Sequence, residues 1–224
     1  MKKNKLFTLP IILCLSLSLI GCGKSDADAI AETAETFLQA ATECNMETVS
    51  EYCLESALTN IGLDALASEY VENIIYTNMQ IEKDSLSEES QKAVSDFCTY
   101  YSSNLIQNFS IGEVSETEGI GLVNVTVTTY SEDALSSLSS DAFKTGLSEL
   151  MNKYQEENMR ELISVNLNLG EEAMMNKLFD DLMPEIMDMM KQSYDSYTPE
   201  DVRVVLTVEK TEDKWMITKA SLAE

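Results

Sequence analysis

The chain has 224 residues, 39 of them acidic against 15 basic, no histidine and a net charge of −24. The missing imidazole removes Ser-His-Asp and Cys-His catalysis, histidine zinc sites and His-Asp dyads, and the acidic field repels nucleic acid and anionic headgroups. A hydrophobic content of 44% suffices for a packed core and argues against disorder.

Residues 1–21 carry Lys2, Lys3 and Lys5, an apolar run from Leu6 to Ile20, and Gly21, which is the layout of a signal peptide. The run falls short of the about 20 apolar residues that a spanning helix needs. Leu19, Ile20, Gly21 and Cys22 resemble the lipobox of bacterial lipoproteins. The resemblance implies a diacylglyceryl group on Cys22, cleavage just before it, and a mature protein held at the outer face of the cell membrane by two acyl chains. An ordinary secretory signal, leaving Cys22 as a plain thiol, is the alternative. No arginine precedes Arg160, so a twin-arginine signal is absent and the chain is expected to cross the membrane unfolded. Residues 22–28 read as a tether and 29–224 as one ectodomain.

Along the ectodomain, Ile30, Ala34, Phe37, Leu38 and Ala41 recur at helical spacing to about Cys44. Thr48 and Glu51 form a capping-box pattern for a second helix through Val49, Tyr52, Cys53 and Ala57, closed by Gly62. Leu66, Ala67, Tyr70, Val71 and Ile74 predict a third helix, and Val94, Phe97, Cys98, Tyr101 and Leu105 a fourth. Of the five cysteines, Cys44, Cys53 and Cys98 remain after leader and lipid are accounted for. A bridge between Cys44 and Cys53 across a turn at Asn45 to Glu47 suits an oxidising exterior; three buried free thiols are the alternative.

The period then changes to two. Val123, Val125 and Val127 alternate with polar residues, and the preceding segment supplies a hairpin partner turning at Glu118 and Gly119. A helical insertion over about 133–197 follows, with Leu135, Leu138, Phe143, Leu147, Leu150 and Tyr154 on one side, a break at Asn168 and Gly170, and a second helix from Glu171 to about Tyr194. Ile163, Val165, Leu167 and Leu169 also alternate, leaving a short strand open there. After Pro199, Val202, Val204, Leu206 and Val208 alternate, and a turn at Thr211 to Lys214 leads to Trp215 and Ile217. Two hairpins separated by helices predict an α+β domain: an antiparallel sheet of about four strands with packed helices.

The Phe37-Leu38-x-x-Ala41 helix near the start and the hairpin from Val204 to Ile217 resemble the nuclear-transport-factor-2-like, or cystatin-like, domains common in Gram-positive lipoproteins. The resemblance implies a cone of curved sheet and helices whose cavity binds a small ligand, catalyses or is filled. The long insertion departs from that pattern.

Candidate chemistry is sparse. No serine stands three residues before a lysine, and Gly119 and Gly121 form a lone G-x-G that reads as a turn. Glu156, Glu157, Asp180, Asp181 and Glu185 lie in helical patterns as solvated faces. Asp195, Glu200 and Asp201 cluster by Pro199 without a calcium-loop spacing, and no catalytic residue, metal ligand or cofactor is assigned. Met174, Met175, Met183, Met187, Met189 and Met190 crowd one helix. Met183, Met187 and Met190 share a face that serves as core, as an adaptable binding surface, or as a soft-metal site, with Pro184 expected to interrupt it. Trp215 is expected to anchor its hairpin rather than stack on a ligand. The functional expectation is a lipid-anchored, non-catalytic module that binds a small ligand or an envelope protein. The alternatives are a carboxylate-dependent hydrolase of cell-wall or extracellular glycans and a structural accessory to a membrane complex.

Overall fold

The structure, a computed structural model, describes residues 25–60, 63–130, 140–212 and 214–223. The leader with Cys22, the expected helix stop at Gly62, and Leu135 and Leu138 lie outside the described residues.

Helix α1 (Asp26–Thr42) starts where the Ser25 hydroxyl accepts the Asp28 amide at 3.2 Å. Asp26 and Asp28 add negative charge to the positive end of its dipole. Its expected apolar face is buried: Ile30, Ala34, Phe37, Leu38 and Ala41. Cys44 then adopts a left-handed conformation, φ 52°, that reverses the chain. The cap of α2 (Met46–Tyr52) is therefore Asn45, whose side chain accepts the Thr48 amide, three residues ahead of the expected Thr48 cap. Helix α2 stops at extended Cys53, because the Leu54 amide donates to Ile217 at the end sheet. Helix α3 (Glu55–Asn60) and a 3₁₀ turn (Leu63–Leu66) follow.

Helix α4 (Ser68–Met79) buries Val71, Ile75 and Tyr76. Tyr70 and Ile74, expected on the buried face, are 46% and 41% exposed, because packing on α5 selects the neighbouring stripe. Helix α5 (Glu88–Ser103) buries Val94, Phe97 and Cys98 as the spacing predicts.

Strands β1 (Asn108–Thr117) and β2 (Ile120–Thr129) form the expected hairpin. Glu118 and Gly119 both take positive φ, 54° and 80°, the conformation that matches the natural twist of paired strands. β3 (Glu200–Thr211) and β4 (Lys214–Leu222) complete an antiparallel sheet in the order β1-β2-β3-β4, so the α+β class holds. β2 and β3 pair throughout, from Ile120 opposite Glu209 to Thr129 opposite Glu200. The intervening helices thus leave and rejoin the sheet at one point and leave the register undisturbed.

Those helices are α6 (Asp141–Leu169) and α7 (Glu171–Asp195), hinged at Gly170 with φ 93°. The alternating segment from Ile163 to Leu169 is helical; Ile163, Leu167 and Leu169 project outward, with Leu167 81% exposed, and Val165 is half-buried. Pro184 lies inside α7 without ending it. Proline has no amide hydrogen, so the Asp180 carbonyl four residues earlier loses its helical donor. The buried Ser90 hydroxyl donates to that carbonyl at 2.7 Å instead.

Two cores result. One lies between α1–α3 and the inner sheet face, built on Phe37, Val49, Val123, Leu206, Val208 and Ile217. The other fills α4–α7 with Val94, Phe97, Leu178, Leu182, Met183 and Ile186. Each burial is worth about 1.5–3 kcal/mol for a large aliphatic or aromatic side chain, so the insertion is held by a second core that it builds with α4 and α5. Among the described residues no helix is long and apolar enough to cross a membrane.

Candidate functional site

Strand alternation aims Val127, Val202, Val204 and Leu206 at the helices, and α1 answers with Phe37 and Leu38. Between them the packing is incomplete. A cavity of about 500 Å³ remains, closed at one side by Leu105 and Ile106 after α5 and at another by the 3₁₀ turn. Among the described residues no charged side chain lines it, and the polar groups there come from Tyr101, Thr129 and Ser221. The volume falls in the range of about 300–1,000 Å³ typical of small-molecule sites.

A second apolar cavity of about 400 Å³ lies among α4–α7, bounded by Ile75, Met79, Phe97, Leu147, Ile186 and Met190. Tyr101 and Ala65 belong to the walls of both. The Ser102 hydroxyl donates to the Ala65 carbonyl at 2.7 Å and fixes the turn to α5.

Tyr101 belongs to a group of tyrosines gathered from α5, the end of β2 and α7. The Tyr194 ring stands 5.3 Å from that of Tyr101 and 4.0 Å from that of Tyr130, centroid to centroid. Tyr100 donates to Asp195. Tyr194 is fully buried, and its hydroxyl has no partner among the described residues. Burial, with the neighbouring phenols and Asp195, pushes the Tyr194 hydroxyl pKa well up. The spread of these residues over three distant elements hid the group from sequence reasoning.

The carboxylates lie elsewhere. Glu72 is the only buried acid among the described residues, and it pairs with Lys83 at 2.6 Å. Asp180 accepts the Ser87 amide and hydroxyl, both at 2.7 Å. Burial opposes its charge, but the hydrogen bonds from the Ser87 hydroxyl and amide outweigh that and hold its carboxyl below the usual value. Asp181 takes Tyr154 and the Lys177 ammonium, the latter at 2.8 Å. Asp201 accepts the Thr128 hydroxyl at 2.7 Å. Glu156, Glu157, Glu185, Asp195 and Glu200 are exposed. None of these acids lines either apolar cavity.

Met183 and Met187 are core, at 0% and 3% exposure. Met174, Met175, Met189 and Met190 are half-buried, and Met190 alone of the six reaches the second cavity. Trp215 is buried in the first core with Lys210 over its ring. Cys44, Cys53 and Cys98 are free thiols. The expected Cys44–Cys53 bridge is not formed for a geometric reason. The two residues flank the seven-residue α2, which at about 1.5 Å per residue separates them beyond the about 4.4–6.8 Å Cα spacing of a disulfide. Burial pushes the Cys53 and Cys98 thiols up to about 12.

No protein-family model matches the chain, and no curated protein matches it. Among solved structures, a candidate lipoprotein, ycdA of Bacillus subtilis, aligns at 14% identity and a TM-score of 0.36 over 84% of this chain and 54% of that one. The chain thus spans about half the length of that protein, and at this level of likeness no property of it carries over.

Proposed function

We propose that this chain is a lipid-anchored extracytoplasmic binding module whose cavity beneath the sheet takes up an uncharged hydrophobic ligand. The carrying observation is a space of about 500 Å³ that no charged side chain lines among the described residues, in a chain with 39 acids. Walls that are apolar except for Tyr101, Thr129 and Ser221 offer no countercharge to offset the desolvation of an ion, a cost of several kcal/mol or more. Ligand uptake therefore favours neutral molecules and draws on burial of apolar area, about 25 cal/mol per Å². The nuclear-transport-factor-2-like resemblance agrees with a ligand space between α1 and the sheet. Glycan hydrolysis by a carboxylate pair has less support, because the acids named above are exposed or engaged outside the cavity.

Attachment through Cys22 rests on the lipobox residues Leu19 to Cys22. Such an anchor places the module beside a bilayer, where hydrophobic molecules concentrate. Titration calorimetry with 1-decanol and with decanoate tests the binding reading. The alcohol is expected to bind with a negative heat-capacity change and the anion much more weakly, and Val204→Trp is expected to abolish both heats. Equal binding of the two, or binding unaffected by Val204→Trp, removes this reading. Mass spectrometry of the N-terminal peptide from membranes tests the anchor; an unmodified Cys22 there contradicts it.

A further inference from the structure

We infer that the cavity among α4–α7 is the continuation of the one beneath the sheet, and that the ligand is an uncharged lipid whose hydrocarbon occupies both. This rests on the binding reading above and adds the extent of the site and the shape of the ligand.

Among the described residues neither cavity is lined by a charged side chain, in a protein that is strongly acidic. They meet at Ala65 and Tyr101. Ala65 contributes only a methyl group to that wall, and its backbone is tied to Ser102. The remaining partition is the Tyr101 ring, which lies against Phe97 on one side and Tyr194 on the other. Two apolar spaces of about 500 and 400 Å³ that share one methyl and one ring in their walls suit a slender chain, and not a compact ring system, as the occupant of both. Met79 and Met190 line the second chamber. Their unbranched thioethers adapt to a flexible chain better than branched side chains do. Fatty-acid anions are disfavoured in either space, because among the described residues no cation lines it. This leaves long alcohols, acylglycerols and isoprenoid-like lipids as the class.

The experiment is a chain-length series, from 1-hexanol to 1-tetradecanol, competing against a neutral fluorescent probe on the purified protein. Each added methylene is expected to raise affinity about fourfold to the end of the series. Leu147→Trp fills the second chamber from α6, and Ile74→Trp fills it from the half-exposed rim of α4, where folding is not at stake. In either variant the gain is expected to stop partway along the series. A wild-type series that levels off at the same length as the variants overturns the continuation, while the binding of shorter alcohols still supports the reading it rests on. Failure of every alcohol to bind overturns both.

Discussion

Replacing Ser90 by Ala removes the donor that compensates for a proline 94 positions further on. Ser90 is 1% exposed, and its hydroxyl gives the Asp180 carbonyl a 2.7 Å hydrogen bond, where a residue other than Pro184 would have supplied an amide. Loss of that donor leaves a partly buried carbonyl unsatisfied, a cost of about 1–3 kcal/mol. Pro184→Ala restores the amide, so the same Ser90→Ala change in that background is expected to cost under about 1 kcal/mol. The four proteins of this cycle are compared by urea unfolding, with the shift in midpoint read at unchanged slope. A coupling of about 1 kcal/mol or more between the two sites is the expected result. Strict additivity would refute the reasoning, since it would mean that the Asp180 carbonyl never depended on Ser90.

Tyr194→Phe deletes a buried hydroxyl that has no partner among the described residues, while keeping the ring contacts with Tyr101 and Tyr130. It is expected to stabilise by about 1 kcal/mol or more; a comparable loss on urea unfolding counts against it. Gly121→Ala places a Cβ 2.7 Å from Ile30, an overpacking expected to cost about 1–3 kcal/mol and to be relieved by Ile30→Ala in the same protein; no relief in a thermal melt would contradict the close packing of α1 on β2. Thiol titration is expected to find half-buried Cys44 reacting first in the native protein. Cys53 and Cys98, held up to about 12 by burial, should react only after unfolding without reductant; their failure to react then would point to a disulfide.

Much of the fold was legible because burial followed local period. Val123, Val125 and Val127 alternate and are buried, and the Glu118-Gly119 turn needs the positive φ that it has. Gly170 breaks the insertion into its two helices as its sequence position suggests. The methionine stripe reads correctly as core at Met183 and Met187. The misreadings share one cause, a distant partner overriding a local signal. Thr48 carries a capping box, yet the left-handed turn at Cys44 makes Asn45 the cap. Tyr70 and Ile74 match the helical period of α4, yet α5 selects Val71 and Ile75. Residues 163–169 alternate like a strand, but they continue a long helix and have no sheet edge to join. The helix expected from Glu171 to about Tyr194 does run through Pro184, because Ser90 supplies the missing donor from α5. The cavity was the least legible feature. It is a gap left between α1, the 3₁₀ turn and two central strands, and its outline belongs to no single segment.

The account stands or falls on what occupies the space between α1 and the sheet. A crystal structure of the protein grown with 1-decanol measures this directly. The account predicts a continuous ligand chain in contact with Leu38, Ile106, Val127 and Leu206, entering the gap beside Tyr101. A cavity filled by rearranged side chains, with the alcohol absent or bound only on the outer surface, would contradict it.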